Sequence, residues 1–552
     1  MASEPDLDEP GMCTCVDARF AHCDACEFAS STILPARGGF ARLRVTHSMT
    51  EPRKRRWLTR LGLLFGLLIF SLLAFAIVEH FRGKAMFSRR IAELKSSGEE
   101  LKVAAFLPKP VELGKNAFTI LATLTTRTES ILTNAAYGPP SMNFNETTRA
   151  VVAWKLARWE ASDGVTNDWD WLAPQLNDAG ELIAQLQAAA ACPEYDCGFD
   201  YNKGFLDFQI GPLHTVKNAA QVLSAATIHE LYRGNVNAAH SNLCTLAKLV
   251  VMQEPEPLVI CQLVRFACAT IAFNTTWQLM QSTELTQPQL AELQAIWARA
   301  QFAEDMGRAL EMERAMAMTF AEQLRSSSAN LEFTLNEQES VVDTVGDLLG
   351  SLPARGFVLH RIYAPFWRFA WSAQDELRSL NRWQFMIKRE RFARTNSWAD
   401  LASKEDPDLE VYAHLFDDGE EYKPNIYDRL RYLFSNRTFS ITDVIIRKEL
   451  EAQTLQRLAV TAIAIQRFRK AQAKLPSDLN ALVPGYLSAV PMDPMDGKPL
   501  RFRKESESSF LLYSVGRDGK DDGGDASPAA PEKPYRQIWD GKDALWPVTE
   551  EP

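Results

Sequence analysis

The sequence predicts a mainly α fold: a single N-terminal transmembrane helix, a helical-hairpin bundle or irregular solenoid behind it, and a small C-terminal α+β module. Three observations lead there. They are the uncharged apolar run Leu61–Val78, the helical recurrence of apolar residues through Ala219–Met280, and the change to short strands and Pro/Gly turns after Leu475. The chain has 552 residues, 46% of them hydrophobic and 24% charged, which is the composition of a globular protein long enough for roughly three to four average domains. Its net charge of -10 and pI near 5.5 argue against a nucleic-acid-binding body, which needs clustered Lys and Arg to release counterions.

Basic residues cluster at Arg53, Lys54, Arg55, Arg56 and Arg60, immediately before LGLLFGLLIFSLLAFAIV. At about 1.5 Å of rise per residue that run is just long enough to cross a hydrocarbon core as a helix. The basic flank makes residues 1–56 a cytoplasmic tail and 57–80 a transmembrane signal anchor, with the rest exported. Arg82, Lys84, Arg89 and Arg90 stand on the far side, so the orientation leans on the shortness of the N-terminal flank. Ala74-Phe75-Ala76 offers a signal-peptidase site, and cleavage there would release a soluble secreted protein. MTEPRKRRW, from Met49, already reads as a complete start for a signal anchor, which makes residues 1–48 an overextended start. Cys13, Cys15, Cys23 and Cys26 lie in that stretch as C-x-C and C-x2-C pairs, a spacing unlike the usual structural-zinc patterns.

Residues 81–440 read as the helical ectodomain. A basic helix (FSRRIAELKSSGEEL) and a Pro-containing link (FLPKPV) come first, and helical sequence follows from Asn116. Cys192 and Cys197, in CPEYDCG, close a short loop and are expected to form a disulfide outside the cytoplasm. AAQVLSAATIHELY, VNAAHSNLCTLAKLVVM and LVICQLVRFACATIAFNTTWQLM are three helices, interrupted at Arg233-Gly234-Asn235 and at Pro255 and Pro257, and such short breaks predict antiparallel hairpins. Cys244, Cys261 and Cys268 fall in these apolar helices and are expected to be buried. The join ELYRGNVNAAHSNL resembles the inner turn of a tetratricopeptide-type hairpin, although no 34-residue period runs through the chain. The aromatic stretch FVLHRIYAPFWRFAW, Phe357–Trp371, is expected to be a kinked core helix around Pro365, a docking or membrane-grazing surface being the other reading. Ser403–Tyr427 is polar and acidic and reads as a loop. From Asp443 a long helix carries Leu455, Leu458, Ala462, Ile465 and Phe468 as one apolar stripe.

Residues 441–552 combine that helix with the terminal module. Pro476 and Pro484 break the helical pattern, Pro491-Met492-Asp493-Pro494 and Asp496-Gly497 supply turns, and PLRFR and SFLLYSV are short antiparallel strands. In the loop GRDGKDDGGD, Asp518, Asp521, Asp522 and Asp525 crowd together and repel unless water or a cation screens them; calcium takes about six to eight such oxygens. The ligand order of an EF-hand is missing. Leu475–Asp525, with its leading helix, P-x-D-P-x-x-G turn, small sheet and Gly/Asp loop, resembles the periplasmic module of the type II secretion major pseudopilins. The resemblance implies calcium held by Asp518, Asp521, Asp522 and Asp525, with Asp540 or Asp543 as later contributors, and a periplasmic location. It covers about the last 100 residues. Pseudopilins carry a processed leader and a Glu in the apolar helix, whereas the apolar run here contains no Glu, so a fibre subunit is not expected. The whole chain resembles membrane-anchored proteins of Planctomycetes and Verrucomicrobia, which implies a bacterial inner-membrane, single-pass protein with most of its chain outside the cytoplasm.

Catalytic patterns do not emerge. His229-Glu230 is followed by Arg233 where a zincin needs His, and no G-x-S-x-G, Walker A or G-x-G-x-x-G site with the right flanks occurs. His229 and His240 read as polar helix positions. Glu311, Glu313 and Arg314 read as a solvated helical face, since residues two apart point in different directions. The expected role is non-enzymatic scaffolding or protein interaction in the cell envelope, linked to a secretion or pilus-like system, with envelope proteins as partners and no nucleic acid. The alternatives are an envelope hydrolase with its site in the helical domain, or a secreted soluble protein.

Overall fold

No proline interrupts the chain between Arg53 and Ser96, and the basic cluster, the apolar run and the basic helix after it form one element, α1 (Arg53–Ser96). The computed structural model describes residues 53–129, 176, 179–205, 213–280, 282, 284–336, 355–403, 425–435, 442–530 and 538–546. The four N-terminal cysteines, Met49 and most of the acidic stretch after Ser403 lie outside them. The chain divides into two units, Met1–Leu68 and Ile69–Pro552. α1 belongs to the first as far as Leu68, where it is an exposed helix from Trp57 on.

In the second unit, Asn116 caps α2 (Ala117–Thr123) by accepting the Phe118 N–H at 3.0 Å, and α3 (Gly180–Ala191) packs on α2. α4 (Leu213–Tyr232) and α5 (Val236–Met252) are joined where Gly234 adopts φ +76° and Asn235 caps the second helix. α6 (Val259–Met280) packs against both. α7 (Gln287–Ala298) starts with a capping box between Thr286 and Gln289. α8 (Phe302–Ser326) and α9 (Ser328–Asn336) follow.

The aromatic stretch stays helical through Pro365. Arg355–Val358 leads into a π turn at Leu359–Tyr363, then Ala364–Phe366 and a second π turn at Trp367–Trp371, continuing as α10 (Ser372–Thr395). The wider turns accommodate a residue that has no N–H to donate. The expectation of a core helix holds for one face only. Leu359, Tyr363, Trp367 and Trp371 are buried, while Phe357, Ile362 and Phe369 are exposed. Short α11 (Trp398–Ser403) and α12 (Ile426–Arg431) precede the long α13 (Thr442–Gln472), whose stripe Leu455, Leu458, Ala462 and Ile465 is buried as its spacing predicts.

The terminal strands form an antiparallel sheet in the order β1 (Arg501–Lys504), β2 (Phe510–Val515), β3 (Asp543–Trp546), with Phe502 opposite Leu512 and Leu512 opposite Trp546. The third strand is an addition to the sequence reading: four residues, DALW, carry no alternation of their own. β2 and β3 pack on α13, and Leu512, Val515, Ala544 and Trp546 join the same apolar core as Leu246, Phe273, Trp297 and Leu458. Hydrogen bonds from Trp398 N–H to the Pro494 carbonyl (3.0 Å), Ala399 N–H to Met495 (2.9 Å) and the Trp398 indole to Arg517 (2.8 Å) tie α11 to the module.

Among the described residues two helices are long and apolar enough to cross a membrane, α1 and α6. The apolar window of α6 is mostly buried, as in a core helix, whereas that of α1 is almost wholly exposed.

Candidate functional site

The acidic loop does not gather its aspartates around one point. Asp518 accepts the Lys520 N–H (3.1 Å), closing a local turn. Asp521 is engaged by Arg501 (3.1 Å), the Tyr513 hydroxyl (3.0 Å) and the Gly523 N–H (3.0 Å). Asp525 pairs with Lys542 (2.8 Å) and accepts the Ser527 N–H (2.9 Å), and the lysine bond with that amide holds its carboxyl down at about 2. Fully buried Asp543 is the centre of the loop, accepting the N–H groups of Asp522, Gly524 and Asp525 at 3.3, 2.8 and 3.0 Å. Asp540 faces Arg517 at 3.6 Å. The turn has its own anchor: buried Asp493 accepts from Met495 N–H, Ser514 Oγ and Val515 N–H, and Arg501 joins it to Asp496 and Asp521. Arg501 and Lys542 thus supply internally part of the screening that a cation would give.

Among the described residues two groups of three bring metal-ligating atoms within 4.8 Å of one another, and neither contains a loop aspartate. The first is Cys197, Glu256 and Cys261. Glu256 accepts the Cys197 N–H (2.5 Å) and the Tyr201 hydroxyl (2.8 Å), while Cys197 Sγ lies 3.5 Å from the Tyr195 hydroxyl. Burial raises Glu256 and drives the Cys197 thiol and the Tyr195 phenol well above their ordinary ranges. Two thiols and a carboxylate are a donor set for a borderline divalent ion such as zinc, and two thiols this close are also partners for oxidation. The expected disulfide between Cys192 and Cys197 is not formed in this structure: both are free thiols, with Cys192 Sγ directed at the Ala188 carbonyl (3.6 Å). The second group is His240, Cys244 and Glu292. There His240 Nε2 donates to the Gln289 carbonyl at 3.0 Å. His229 and His240 are both buried, as are Cys244, Cys261 and Cys268.

The solvated face expected for Glu311, Glu313 and Arg314 is overturned for the last two. α8 packs against α6, α10, α13 and the turn Val103–Ala105, so Glu313 and Arg314 face protein, while Glu304, Arg308 and Glu322 stay exposed. Arg314 is fully buried and binds Glu99 (2.8 Å), the Glu100 carbonyl (2.6 Å) and Gln384. Glu313 accepts the Val259 N–H at the start of α6 (2.8 Å), and burial lifts its carboxyl to about 7. Glu311, half-buried, pairs with Arg391 at 2.5 Å. Burial also opposes ionisation of Glu99, but its bonds from Arg391 and Arg314 prevail and hold it near 2. Deeper in the body, Glu390 and Glu449 are completely buried, and among the described residues none of their four carboxylate oxygens has a hydrogen-bond partner, Arg394 standing 3.7 Å from Glu390. Desolvation raises both, and the charge of Glu390 raises Glu449 further. No sequence motif marks this pair, because it forms only where α10 and α13 meet.

A further set of contacts engages α1. Ala76 and Glu79 are buried against the body. The Phe75 ring meets Trp371 edge-on at 6.5 Å, and the His80 ring stacks on Phe369 at 4.4 Å while Nδ1 donates to the Phe369 carbonyl at 2.7 Å. Gln374 donates to the Glu79 carbonyl (2.9 Å) and carboxylate (2.8 Å), and Arg431 lies 3.7 Å from that carboxylate. Further along, Arg90 bonds Asn381 at 2.9 Å. α1 is therefore seated on the segment from Trp367 to Asn381 for several turns beyond Phe75. No family model, curated protein or solved structure matches this chain.

Proposed function

We propose that this protein is a single-pass membrane protein of a bacterial inner membrane whose helical body and terminal sheet lie outside the cytoplasm and act as a scaffold for other envelope proteins. The observation that carries the proposal is α1: a helix with an almost wholly exposed apolar window, directly after a basic cluster, whose following turns are fixed to the body by apolar packing and hydrogen bonds. An apolar surface of that length left in water would be strongly unfavourable, at roughly 25 cal/mol per Å². A seat for the end of the anchor suits a scaffold, because it ties the body to the membrane. On this reading the hairpin-like helices supply the interaction surface and the terminal sheet is a pseudopilin-like cap, linked to a secretion or pilus-like apparatus. Calcium at Asp518, Asp521, Asp522 and Asp525 belongs to the same proposal, and requires the ion to compete with Arg501 for Asp521 and with Lys542 for Asp525. The hydrolase alternative would draw on Glu390 and Glu449, but two completely buried carboxylates offer a substrate no approach.

The test is alkaline-carbonate extraction of membranes combined with protease protection of spheroplasts. The protein is expected to stay with the lipid pellet and to lose its body to external protease. Release by carbonate, or protection of the body in intact spheroplasts, refutes the anchor or its orientation.

A further inference from the structure

We propose that the exposed face of Phe357–Phe369, together with Ile426 and Tyr427, forms a collar around the foot of α1 that lies in the interfacial layer of the lipid bilayer. The inference rests on the reading of α1 as a membrane anchor.

Depth is the first argument. The apolar run ends at Val78, yet the body already contacts α1 at Phe75 and Ala76. With about 1.5 Å of rise per residue, the contact begins roughly 4–5 Å inside the end of the apolar run. The π turns, which make it through Trp371 and the apolar cluster around Ala76, and α12, whose Arg431 reaches Glu79 at 3.7 Å, are thereby held at the level where hydrocarbon gives way to headgroups. They cannot stand off in bulk water while Leu61–Val78 spans the core.

Composition at that level is the second. Outside α1, ten large hydrophobic side chains are exposed among the described residues, and five of them are Phe357, Ile362, Phe369, Ile426 and Tyr427. They come from two short stretches joined through Trp371, whose ring meets Tyr427 at 5.7 Å. On the first stretch the exposed positions are Phe357, Arg361, Ile362, Pro365 and Phe369; Phe357, Arg361, Pro365 and Phe369 fall four apart, with Ile362 beside Arg361. The opposite side, Leu359, Tyr363, Trp367 and Trp371, is core. An amphipathic helical surface with aromatic and aliphatic residues outward is the composition that settles at a membrane interface, and aromatic rings are enriched there. Val78 and Phe81 of α1, both more than 60% exposed, continue the apolar surface. Arg361 beside Ile362 supplies a cation for anionic headgroups.

A second protein or a second copy of this chain would also cover apolar residues; depth favours lipid, because the collar is covalently continuous with a segment that must itself be in lipid. The full chain is to be reconstituted in phosphatidylethanolamine/phosphatidylglycerol vesicles with the photo-crosslinker p-benzoylphenylalanine at position 362 or 369, at 70 inside the apolar run, and at 508 in the exposed turn between β1 and β2. Lipid adducts are expected at 70, 362 and 369 and not at 508. Adducts at 70 without adducts at 362 and 369 overturn the collar and leave the anchor standing, as do protein–protein crosslinks at 362. Absence of adducts at 70 removes the anchor and the collar with it.

Discussion

Glu313 lies between α8 and the first turn of α6, and its carboxyl gives up water to accept one backbone N–H. Its folded value of about 7 lies above the unfolded 4.5, so the folded state holds the proton more tightly. The associated stabilisation is complete below about pH 4.5 and is lost as pH rises through 7, a change on the order of 3 kcal/mol. Asp375 and Asp493, lifted by burial to about 6, act in the same sense; Glu99, held near 2, acts in the opposite sense, its share being lost only as pH falls below the unfolded range. The melting temperature should therefore fall between pH 5 and pH 8, and Glu313→Gln, which keeps the acceptor oxygen, should flatten that fall; an unchanged slope in calorimetry removes the assignment. The thiols give a second prediction. Cys197 lies within 4.8 Å of Cys261 at the ligating atoms, so a disulfide oxidant taking two electrons and two protons should join these two, and non-reducing peptide mapping should recover that link in place of Cys192–Cys197.

At the scale of elements, α1 is seated by close approach as well as by hydrogen bonds. Gly83 is buried, and a Cβ there would come within 2.7 Å of Gln374 Cγ, the side chain that also bonds Glu79. Gly83→Ala should cost about 1–3 kcal/mol through overpacking and increase hydrogen exchange in residues 75–90 before the rest of the body, as measured by mass spectrometry; uniform exchange would contradict it. The terminal sheet depends in the same way on Asp543. Asp543→Ala strands three N–H groups and should cost about 2–3 kcal/mol, with faster exchange confined to residues 518–527 and the adjoining strands. If calcium occupies the loop, chelator should lower the melting temperature of wild type and leave Asp521→Ala/Asp522→Ala unaffected; equal midpoints with and without chelator remove the ion.

At the scale of the whole molecule, the local patterns are the ones that could be read from the chain. The apolar run, the Gly234-Asn235 break, the stripe from Leu455 to Ile465, and the β1–β2 hairpin all depend on neighbours a few residues away, through helical period, turn chemistry and strand alternation. So does the burial of Cys244, Cys261 and Cys268 in apolar helices. What lies between elements was not readable. Glu313 and Arg314 look like a solvated face until α6, α10 and α13 close around α8. Glu390 and Glu449 lie far apart in the chain and become a pair only where two helices cross. β3 has no signal of its own and exists because β2 offers an edge, and the loop aspartates, alike in sequence, separate: Asp521 is held by Arg501 and Asp525 by Lys542, while the loop backbone is gathered by buried Asp543 of β3. The sequence by itself determined a helix able to span a membrane, a helical body and a short terminal sheet, since backbone preference and apolar period act locally. The tertiary structure alone decided which charges lose their water, which thiols meet, and that the aromatic stretch around Pro365 turns one face to the core and the other outward beside α1, because those outcomes depend on distances set by packing between segments remote in the chain.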